Sequence, residues 1–281
     1  MSQVGYGPPV RLDGPLPQKR SFTLLDVATI VPELDEHWLN GARILPYPGD
    51  TGHVHDPCAT GSPATKNAGT LPESPHFGAF TGYLPVTCTS FSVGADAAWF
   101  KARAFAAFAA IESTIAERVF ATGEGLDALQ PHLTDSNLTQ LNAGAATGAM
   151  LALEDLDDAI AATGRAGVIH ATPSVVDAWD SGGGLERRGN LRVTANDTPV
   201  VSGAGYLGFF PDGGSAPSSR RAWAFATGPV QARRTDIFIT PDNYAQALDR
   251  AVNSVEFFAE RSMLIDWDAV LQAGVLVDRS L

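Results

Sequence analysis

The sequence is poor in cysteine, with only Cys58 and Cys88 among 281 residues. Small secreted domains that depend on disulfides carry several cysteines, so two exclude that class of protein. Long apolar runs are also missing, because none approaches the roughly 18 residues that a membrane-spanning helix needs. No charged segment followed by an apolar one opens the chain, so we expect a start in a cytoplasm.

Charge is scarce, and positive charge most of all. Lys and Arg number 19 against 31 Asp and Glu, which gives a net charge of −12. Binding to phosphates needs clustered Lys and Arg, so this balance argues against a nucleic-acid-binding domain. It suits a surface that lies close to DNA without adhering to it. Charged residues make up 18% of the chain and hydrophobic residues 44%, a balance that suits subunits burying surface between them.

Catalytic motifs are lacking as well. No G-x-S-x-G elbow is present, and nothing in the sequence pairs Ser202 with a histidine. Gly203, Gly205 and Gly208 spell G-x-G-x-x-G after a strand. A dinucleotide site needs a helix to begin there, whereas the continuation F-F-P-D-G-G indicates a turn. We therefore interpret these glycines as part of a tight loop.

Histidine and cysteine supply one weak candidate for a metal site. His53, His55, Cys58 and the distant Cys88 are ligand types for zinc, but their spacing matches no common closed site. We favour solvated loop histidines and free thiols, with a Cys58–Cys88 disulfide as a further alternative outside a reducing cytoplasm. No catalytic, cofactor-binding or metal-binding residue is assigned, and we expect no enzyme and no cofactor.

Three other polar groups receive structural interpretations. His170 lies in an apolar strand and is expected to be a hydrogen-bonded core residue. The acidic run Glu154–Asp158 is expected on a solvated helix face, because paired catalytic carboxylates normally occupy a cleft. Two arginine pairs are expected to form ion pairs with acidic neighbours: Arg220-Arg221 and Arg233-Arg234.

The N-terminal part of the chain predicts extended segments. Residues 1 to about 22 are rich in Pro and Gly and lack apolar periodicity, so they form an arm without a core of its own. We expect another copy of the chain to hold this arm. Residues 46–85 form a Gly, Pro, Ser and Thr-rich stretch that is long for a loop, and Val86–Val93 alternates like a strand.

The clearest predicted element is a helix over residues 96–121. Its apolar side chains recur at steps of three or four and form one stripe: Phe100, Ala104, Phe108, Ile111, Ile115 and Val119. Gly123 and Gly125 follow the stripe and end the helix. At ~1.5 Å per residue, this spine helix is on the order of 35 Å long.

The remaining elements alternate between helices and strands. The central part predicts a helix over 148–163, a strand at Val168–Ala171, a helix at Pro173–Trp179 after the cap Thr172, and a strand at Pro199–Ser202. The C-terminal part predicts strands at Trp223–Ala226 and Asp236–Ile239, a helix from Pro241 to about Val252, and closing apolar segments at Met263–Trp267 and Val270–Val277.

This order of elements resembles that of major capsid proteins of tailed bacteriophages with the Hong Kong 97-type fold. Four segments carry the resemblance: the end of the spine helix at 117–125, the helix and strand at 151–170, the turn region at 191–202 and the closing strands at 259–277. In the turn region, Asp197 stands where glycine is commoner in the family. The resemblance covers nearly the whole chain and implies an α+β fold.

The resemblance also implies a division of the chain. Residues 1–45 would be the N-terminal arm, 46–85 the extended loop, 86–125 and 222–281 the peripheral domain, and 126–221 the axial domain. The family's long N-terminal scaffolding segment has no counterpart, which implies a separate scaffolding protein or none. Some members crosslink a loop lysine to a neighbour's asparagine. Lys66 is the only lysine in this loop, and without a matching motif we expect no crosslink.

The implied function is that of a structural major capsid protein. Hexamers and pentamers of the chain would assemble into an icosahedral phage head that encloses double-stranded DNA without specific binding. The implied location is the virion, with assembly in the host cytoplasm. Scaffolding or decoration proteins and a portal would be further partners, and no membrane is involved. Encapsulin-like nanocompartment shells share the fold and are the first alternative; the second is a metal-dependent enzyme that uses His53, His55 and Cys58.

Overall fold

The computed structural model describes residues 14–32, 37–45, 74–88, 97–127, 130–208, 210–211, 220–249, 251 and 254–280. In these ranges the α-helices are α1 (Leu24–Val27), α2 (Ala97–Thr122), α3 (Ala149–Ala162), α4 (Pro173–Ser181) and α5 (Tyr244–Ala247). The strands are β1 (Thr29–Ile30), β2 (Ala42–Arg43), β3 (His76–Phe77), β4 (Ala79–Cys88), β5 (Thr139–Gln140), β6 (Ala146–Gly148), β7 (Val168–Ala171), β8 (Glu186–Arg188), β9 (Leu191–Val193), β10 (Pro199–Ser202), β11 (Arg221–Thr227), β12 (Val230–Arg234), β13 (Phe238–Thr240), β14 (Leu248–Asp249), β15 (Ser254–Trp267) and β16 (Gln272–Asp278). Short 3-10 turns lie at His37–Asn40, Leu141–Gly144 and Ala204–Tyr206.

The first sheet is organised around β15. This 14-residue strand pairs antiparallel with β4 along ten residue pairs, and with β12, β13 and β14 on its other side. Val255, Phe257 and Ala259 are buried at alternate positions, which is the period of a strand with one covered face. From Met263 to Trp267 the strand is buried throughout. The expected closing segment at 263–267 is confirmed in this sheet, and the expected strand at 223–226 is confirmed as β11 of the second sheet.

The spine helix α2 packs on this sheet through its apolar stripe, although Ile111, which was predicted to belong to the stripe, is 37% exposed. Phe108 and Ala104 are fully buried and contact Ala259 of β15 and the half-buried Leu84 and Val86 of β4. The predicted bounds, 96–121, differ from the observed ones by one residue at each end. A helix of 26 residues at ~1.5 Å per residue is about 39 Å long and spans the sheet.

The second sheet holds eight strands in the order β5-β16-β11-β7-β10-β9-β8, with β6 beside β16. β7 and β10 run parallel and are almost entirely buried, which confirms the two strands predicted there. Helices α3 and α4 cover one face of the sheet through Leu156, Ile160 and Trp179. Pro173 begins α4 after Thr172, also as predicted.

The sheets divide the chain differently from the expected domains. β11 and β16 pair with each other through seven residue pairs and lie inside the second sheet. The expected division placed both strands in the peripheral domain, 86–125 and 222–281, and the rest of this sheet in the axial domain, 126–221. The boundary at residue 222 therefore cuts through one sheet. Alternation of side chains identifies a strand but not the strand beside it, which is why the sequence did not reveal this pairing.

The expected extended loop, residues 46–85, also ends differently. β3 and the first seven residues of β4 lie within its last ten residues, and β4 pairs with β15 from Ala79 onward. The strand was predicted at Val86–Val93, so it begins seven residues earlier than expected. Residues 46–73 and 89–96 lie outside the described part of the chain.

Residues 22–45, expected to belong to the arm, contribute to the core. Leu24, Leu25 and Trp38 are buried in the largest hydrophobic cluster, and β1 pairs in parallel with β12. Thr23 and Asp26 form a reciprocal capping box at the start of α1. Residues 14–20 are exposed and form no helix or strand, so the arm without a core ends close to residue 21.

The helix expected from Pro241 to about Val252 is reduced to one turn. Asn243 caps α5 by accepting a hydrogen bond from the backbone N–H of Gln246 at 3.0 Å. Leu248 and Asp249 then pair with β15 as β14. The strand contact therefore replaces the later part of the helix, an instance of tertiary pairing overriding local propensity.

Two arginines of the first sheet hold α2 in place by binding the carboxylate of Glu112. Glu112 accepts from Arg261 Nη1 at 2.6 Å and from Arg234 Nη1 at 3.2 Å, and its side chain is 8% exposed. Arg233 pairs with the buried carboxyl group of Asp266 on β15. These contacts confirm the ion pairs expected of the 233–234 arginines.

Replacing Phe108 by Asp is expected to destabilise the unassembled subunit by several kcal/mol, because an unpaired charge would be buried in the packed stripe. Urea denaturation followed by circular dichroism measures the loss. Phe105→Asp is the matched control, since Phe105 lies on the same helix and is 49% exposed. A Phe108→Asp variant as stable as the control would contradict the buried stripe.

Glu112→Gln is expected to lower the free energy of unfolding by about 2–3 kcal/mol, since it leaves two arginines facing each other without a counter-charge. Arg234 is 31% exposed, which reduces the effect through solvent screening. Glu124→Gln removes a charge from an exposed pair with Arg118 just beyond the end of the same helix and should cost less than about 1 kcal/mol. Equal losses in the two variants would show that Glu112 has no special role.

Candidate assembly surface

The metal candidates of the sequence stay untested. His53, His55 and Cys58 lie outside the described residues, as does Lys66. Within the described ranges, no group of three or more His, Cys, Asp or Glu side chains could hold a metal ion.

The glycine motif forms a turn and not a phosphate-binding helix start. After β10, residues Ala204–Tyr206 make a single 3-10 turn. A Cβ atom on Gly205 would lie 2.5 Å from the Cβ of Glu117 and 2.7 Å from the backbone nitrogen of Arg118. Gly205 is therefore required for close approach of this turn to α2, which confirms the interpretation as a tight loop.

His170 is a satisfied core residue, as expected. It is fully buried, with Nδ1 at 3.1 Å from the Tyr206 hydroxyl and Nε2 at 2.9 Å from the Thr227 hydroxyl. Because the Thr227 hydroxyl donates to the carbonyl of Gly228, it accepts from His170 Nε2–H, and Nδ1 accepts from Tyr206. Burial lowers the pKa of His170 to about 3, so the imidazole is neutral at ordinary pH.

Glu117 is the buried polar group that sequence reasoning missed. Its Oε2 accepts from the backbone N–H of Gly205 at 2.9 Å, and its Oε1 accepts from the backbone N–H of Leu24 at 3.2 Å. Burial raises the pKa of this carboxyl group to about 7. Glu117 lies opposite the apolar stripe, where the helix pattern predicts solvent. Only the tertiary position of α1 and the 204–206 turn buries it.

The acidic run on α3 is partly structural. Glu154 and Asp158 are exposed, in agreement with a solvated face. Asp157 instead accepts hydrogen bonds from the region between β9 and β10: Thr194 Oγ1 at 3.1 Å, Asn196 Nδ2 at 2.7 Å and Thr198 Oγ1. The run therefore contains an anchor for a neighbouring turn and no pair of carboxylates in a cleft.

One cavity lined by described residues has both of its carboxylates engaged in ion pairs. Its volume is about 270 Å³, and Ile44, Pro229 and Trp267 contribute to its walls. Two carboxylates also line it, but Asp266 is paired with Arg233, and Asp268 with Arg165 at 3.1 Å. Both carboxylates are therefore engaged in ion pairs. Asp278, elsewhere in the chain, forms a further ion pair with Arg221 at 2.8 Å.

Large apolar side chains are exposed on several elements of the body. Those with more than half of their surface accessible are Leu16, Leu45, Tyr83, Leu151, Leu207 and Phe238. They lie on several elements: the residues before α1, the residues after β2, β4, α3, the turn after β10, and β13. Tyr83 and Phe238 flank the same residue of β15, Glu260. Such a distribution offers several small contact surfaces and no single binding cleft. Among the described helices, none is long and apolar enough to cross a membrane.

Comparisons with known proteins identify the architecture. Neither a protein-family pattern nor a curated protein sequence matches the chain. Among solved structures, the capsid of a native GTA particle matches with a TM-score of 0.55 and 14% identity, over 99% of this chain and 95% of that one. The capsid of Ralstonia phage GP4 matches with a TM-score of 0.51 and 9% identity, over 94% and 91%. The holo-SrpI encapsulin complex from Synechococcus elongatus PCC 7942 matches with a TM-score of 0.51 and 10% identity, over 96% and 92%.

Each match extends over almost the full length of this chain and of the chain compared with it. The similarity therefore covers the whole subunit and not one motif. Together with the spine helix and the two sheets, they confirm the expectation drawn from the order of elements. The chain has the α+β Hong Kong 97-type fold of phage capsid proteins.

Proposed function

We propose that the chain is a structural major capsid protein that assembles into an icosahedral phage head around double-stranded DNA. The observation that carries this proposal is the match to the capsid of the native GTA particle over nearly the whole of both chains. A fold can serve more than one function, so the properties of this subunit must also fit the role.

Three properties of the subunit support a structural role. The buried polar groups described above, Glu117, Glu112 and His170, are engaged in internal hydrogen bonds or ion pairs and are closed to a substrate. Exposed apolar side chains are spread over several elements, which suits a subunit with several neighbours. The net charge of −12 keeps the protein from binding the enclosed DNA as a polycation would.

We also propose a revised division of the subunit. The peripheral part contains the first sheet and α2, and the axial part contains the second sheet with α3 and α4. β11 and β16 then belong to the axial part, because they are hydrogen-bonded to its strands. Residues 1 to about 21 remain the arm.

The proposed partners are first of all other copies of the chain, in hexamers and pentamers. A portal and separate scaffolding or decoration proteins complete the proposal, with a location in the virion and assembly in the host cytoplasm. Negative-stain microscopy of the purified protein tests self-assembly directly. Closed particles of uniform diameter support the proposal, and a monomer at high concentration contradicts it.

An encapsulin-like nanocompartment is the second candidate, favoured by the match to the SrpI encapsulin complex. The contents of the particle distinguish the two functions. Particles isolated from their natural source and treated with nuclease retain DNA if the shell is a phage head. A stoichiometric cargo protein without DNA favours the compartment.

Deleting residues 1–20 is expected to leave the subunit folded and to abolish uniform closed shells. The described part of this segment, residues 14–20, is exposed and lies outside the core, and it contacts the body through the ion pair of Lys19 with Asp26 at 2.6 Å, so we expect an interface to order most of it. Circular dichroism and thermal unfolding report on the fold, and microscopy reports on assembly. Intact uniform shells would contradict an assembly role for the arm, and an unfolded subunit would place the arm in the core.

Deletion of residues 1–30 provides the comparison. It also removes α1 with the buried Leu24 and Leu25, and β1 beside β12. We expect this longer deletion to destabilise the subunit itself by several kcal/mol, since each buried leucine contributes about 1.5–3 kcal/mol. The two deletions together locate the boundary between arm and body.

A further inference from the structure

The carboxyl group of Glu117 joins three segments that are distant in sequence. It extends from α2, and its two oxygens accept from Leu24 N–H of α1 at 3.2 Å and from Gly205 N–H of the turn after β10 at 2.9 Å. Its side chain is fully buried. Beside it, the Thr23 hydroxyl contacts the Ser113 hydroxyl at 3.2 Å, which adds a second polar contact between the start of α1 and α2.

The charged groups around Glu117 leave it without a close counter-charge. Arg20 attracts it from an exposed position, and Asp26 of α1 repels it. Within the described residues, no lysine or arginine forms an ion pair with this carboxylate.

The other titratable groups near Glu117 are engaged in bonds of their own. The Tyr206 hydroxyl, from the turn, is bonded to the neutral His170 of β7. On α2 itself, Glu112 is bound by its two arginines and Arg118 by Glu124. A negative charge on Glu117 is therefore stabilised mainly by two backbone N–H groups.

The sign of the proton linkage follows from burial. Desolvation raises the pKa of Glu117 to about 7 while α1 and the turn cover it, from an ordinary value of 4.5. If α1 leaves the helix, water reaches the carboxyl group and the ordinary value returns. The covered form thus binds a proton more tightly than the open form. The docking of α1 over Glu117 is therefore favoured as pH falls through 7, and this stabilisation is lost as pH rises through 7.

We propose that Glu117 makes the docking of residues 22–28 on the spine helix depend on protonation. The protonated carboxyl group allows α1 to close over α2, and the ionised one favours opening at the root of the arm. This inference concerns the single subunit and does not depend on the proposed capsid function.

Hydrogen exchange of the full-length, unassembled chain tests the proposal. Protection of the amides of residues 22–28, corrected for the intrinsic pH dependence of exchange, is expected to be about tenfold higher at pH 6 than at pH 8. Protection of β7, which reports on global opening, is measured in parallel so that local and global effects are separated. Unchanged or lower protection of residues 22–28 at pH 6 would overturn the proposal.

Glu117→Gln removes the titrating proton while retaining a carbonyl acceptor. In this variant, the hydrogen-exchange protection of residues 22–28 is expected to be the same at pH 6 and pH 8. Glu124→Gln is the control, because it removes an exposed negative charge near the end of the same helix and should keep the tenfold change. A tenfold change that persists in Glu117→Gln would assign the pH dependence to another group.

A second variant keeps the test open if Glu117→Gln does not fold. Arg20 is exposed and attracts the ionised form, so Arg20→Gln should move the midpoint of the protection change to higher pH. Lys101→Gln removes an equal charge from the other end of α2, where Lys101 faces Asp242 at 3.6 Å, and should leave the midpoint unchanged. A midpoint that is the same in Arg20→Gln and the wild type would contradict Glu117 as the titrating group.

Discussion

The two backbone N–H groups that bind the Glu117 carboxyl group hold together the parts of this subunit. The first half of α2 is covered on one side only, by the first sheet, whereas Ser113, Ala116 and Glu117 show that its second half is buried on opposite sides. A carboxylate inside a protein needs groups that replace water. Here Leu24 and Gly205 supply them, and in doing so they fix α1 and the turn after β10 against the same helix.

The same region explains why two sheets make one body. The largest hydrophobic cluster contains Met263 and Trp267 from the first sheet, Val201 and Phe225 from the second, and Leu24 from α1. Helices α3 and α4 cover the other face of the second sheet with a separate cluster. β7 and β10 therefore lie between two apolar layers, and they are almost entirely buried, as expected for parallel strands covered on both faces.

How much of the fold could be predicted from the sequence depends on how far apart in the chain the interacting residues lie. The stripe around Phe108 located α2 within one residue, because helical periodicity is a local property. The partners of β11 and β16, the short helix α5 and the burial of Glu117 were not predictable in this way. Each depends on a segment far along the chain: β16 on β11, β14 on β15, and Glu117 on Leu24 and Gly205. Local pattern therefore predicts the type of most elements. Non-local pairing decides domain membership and the burial of charge, and at residues 248–249 it also overrides the predicted element type.

The position of α1 has a consequence for the proposed shell. In the proposed shell, subunits in hexamers and pentamers would meet their neighbours at different angles, so contacts made by the arm would vary while the body stays the same. Phe22 marks the change: its backbone has φ of 64°, its carbonyl accepts from Ser202 N–H at 2.7 Å, and its ring lies under the guanidinium groups of Arg187 and Arg192. These three contacts hold Phe22 on the body at the point where the arm begins. Contacts of the arm between subunits can then vary while the backbone around the buried carboxyl group keeps its place, and the charge of Arg20 links the two.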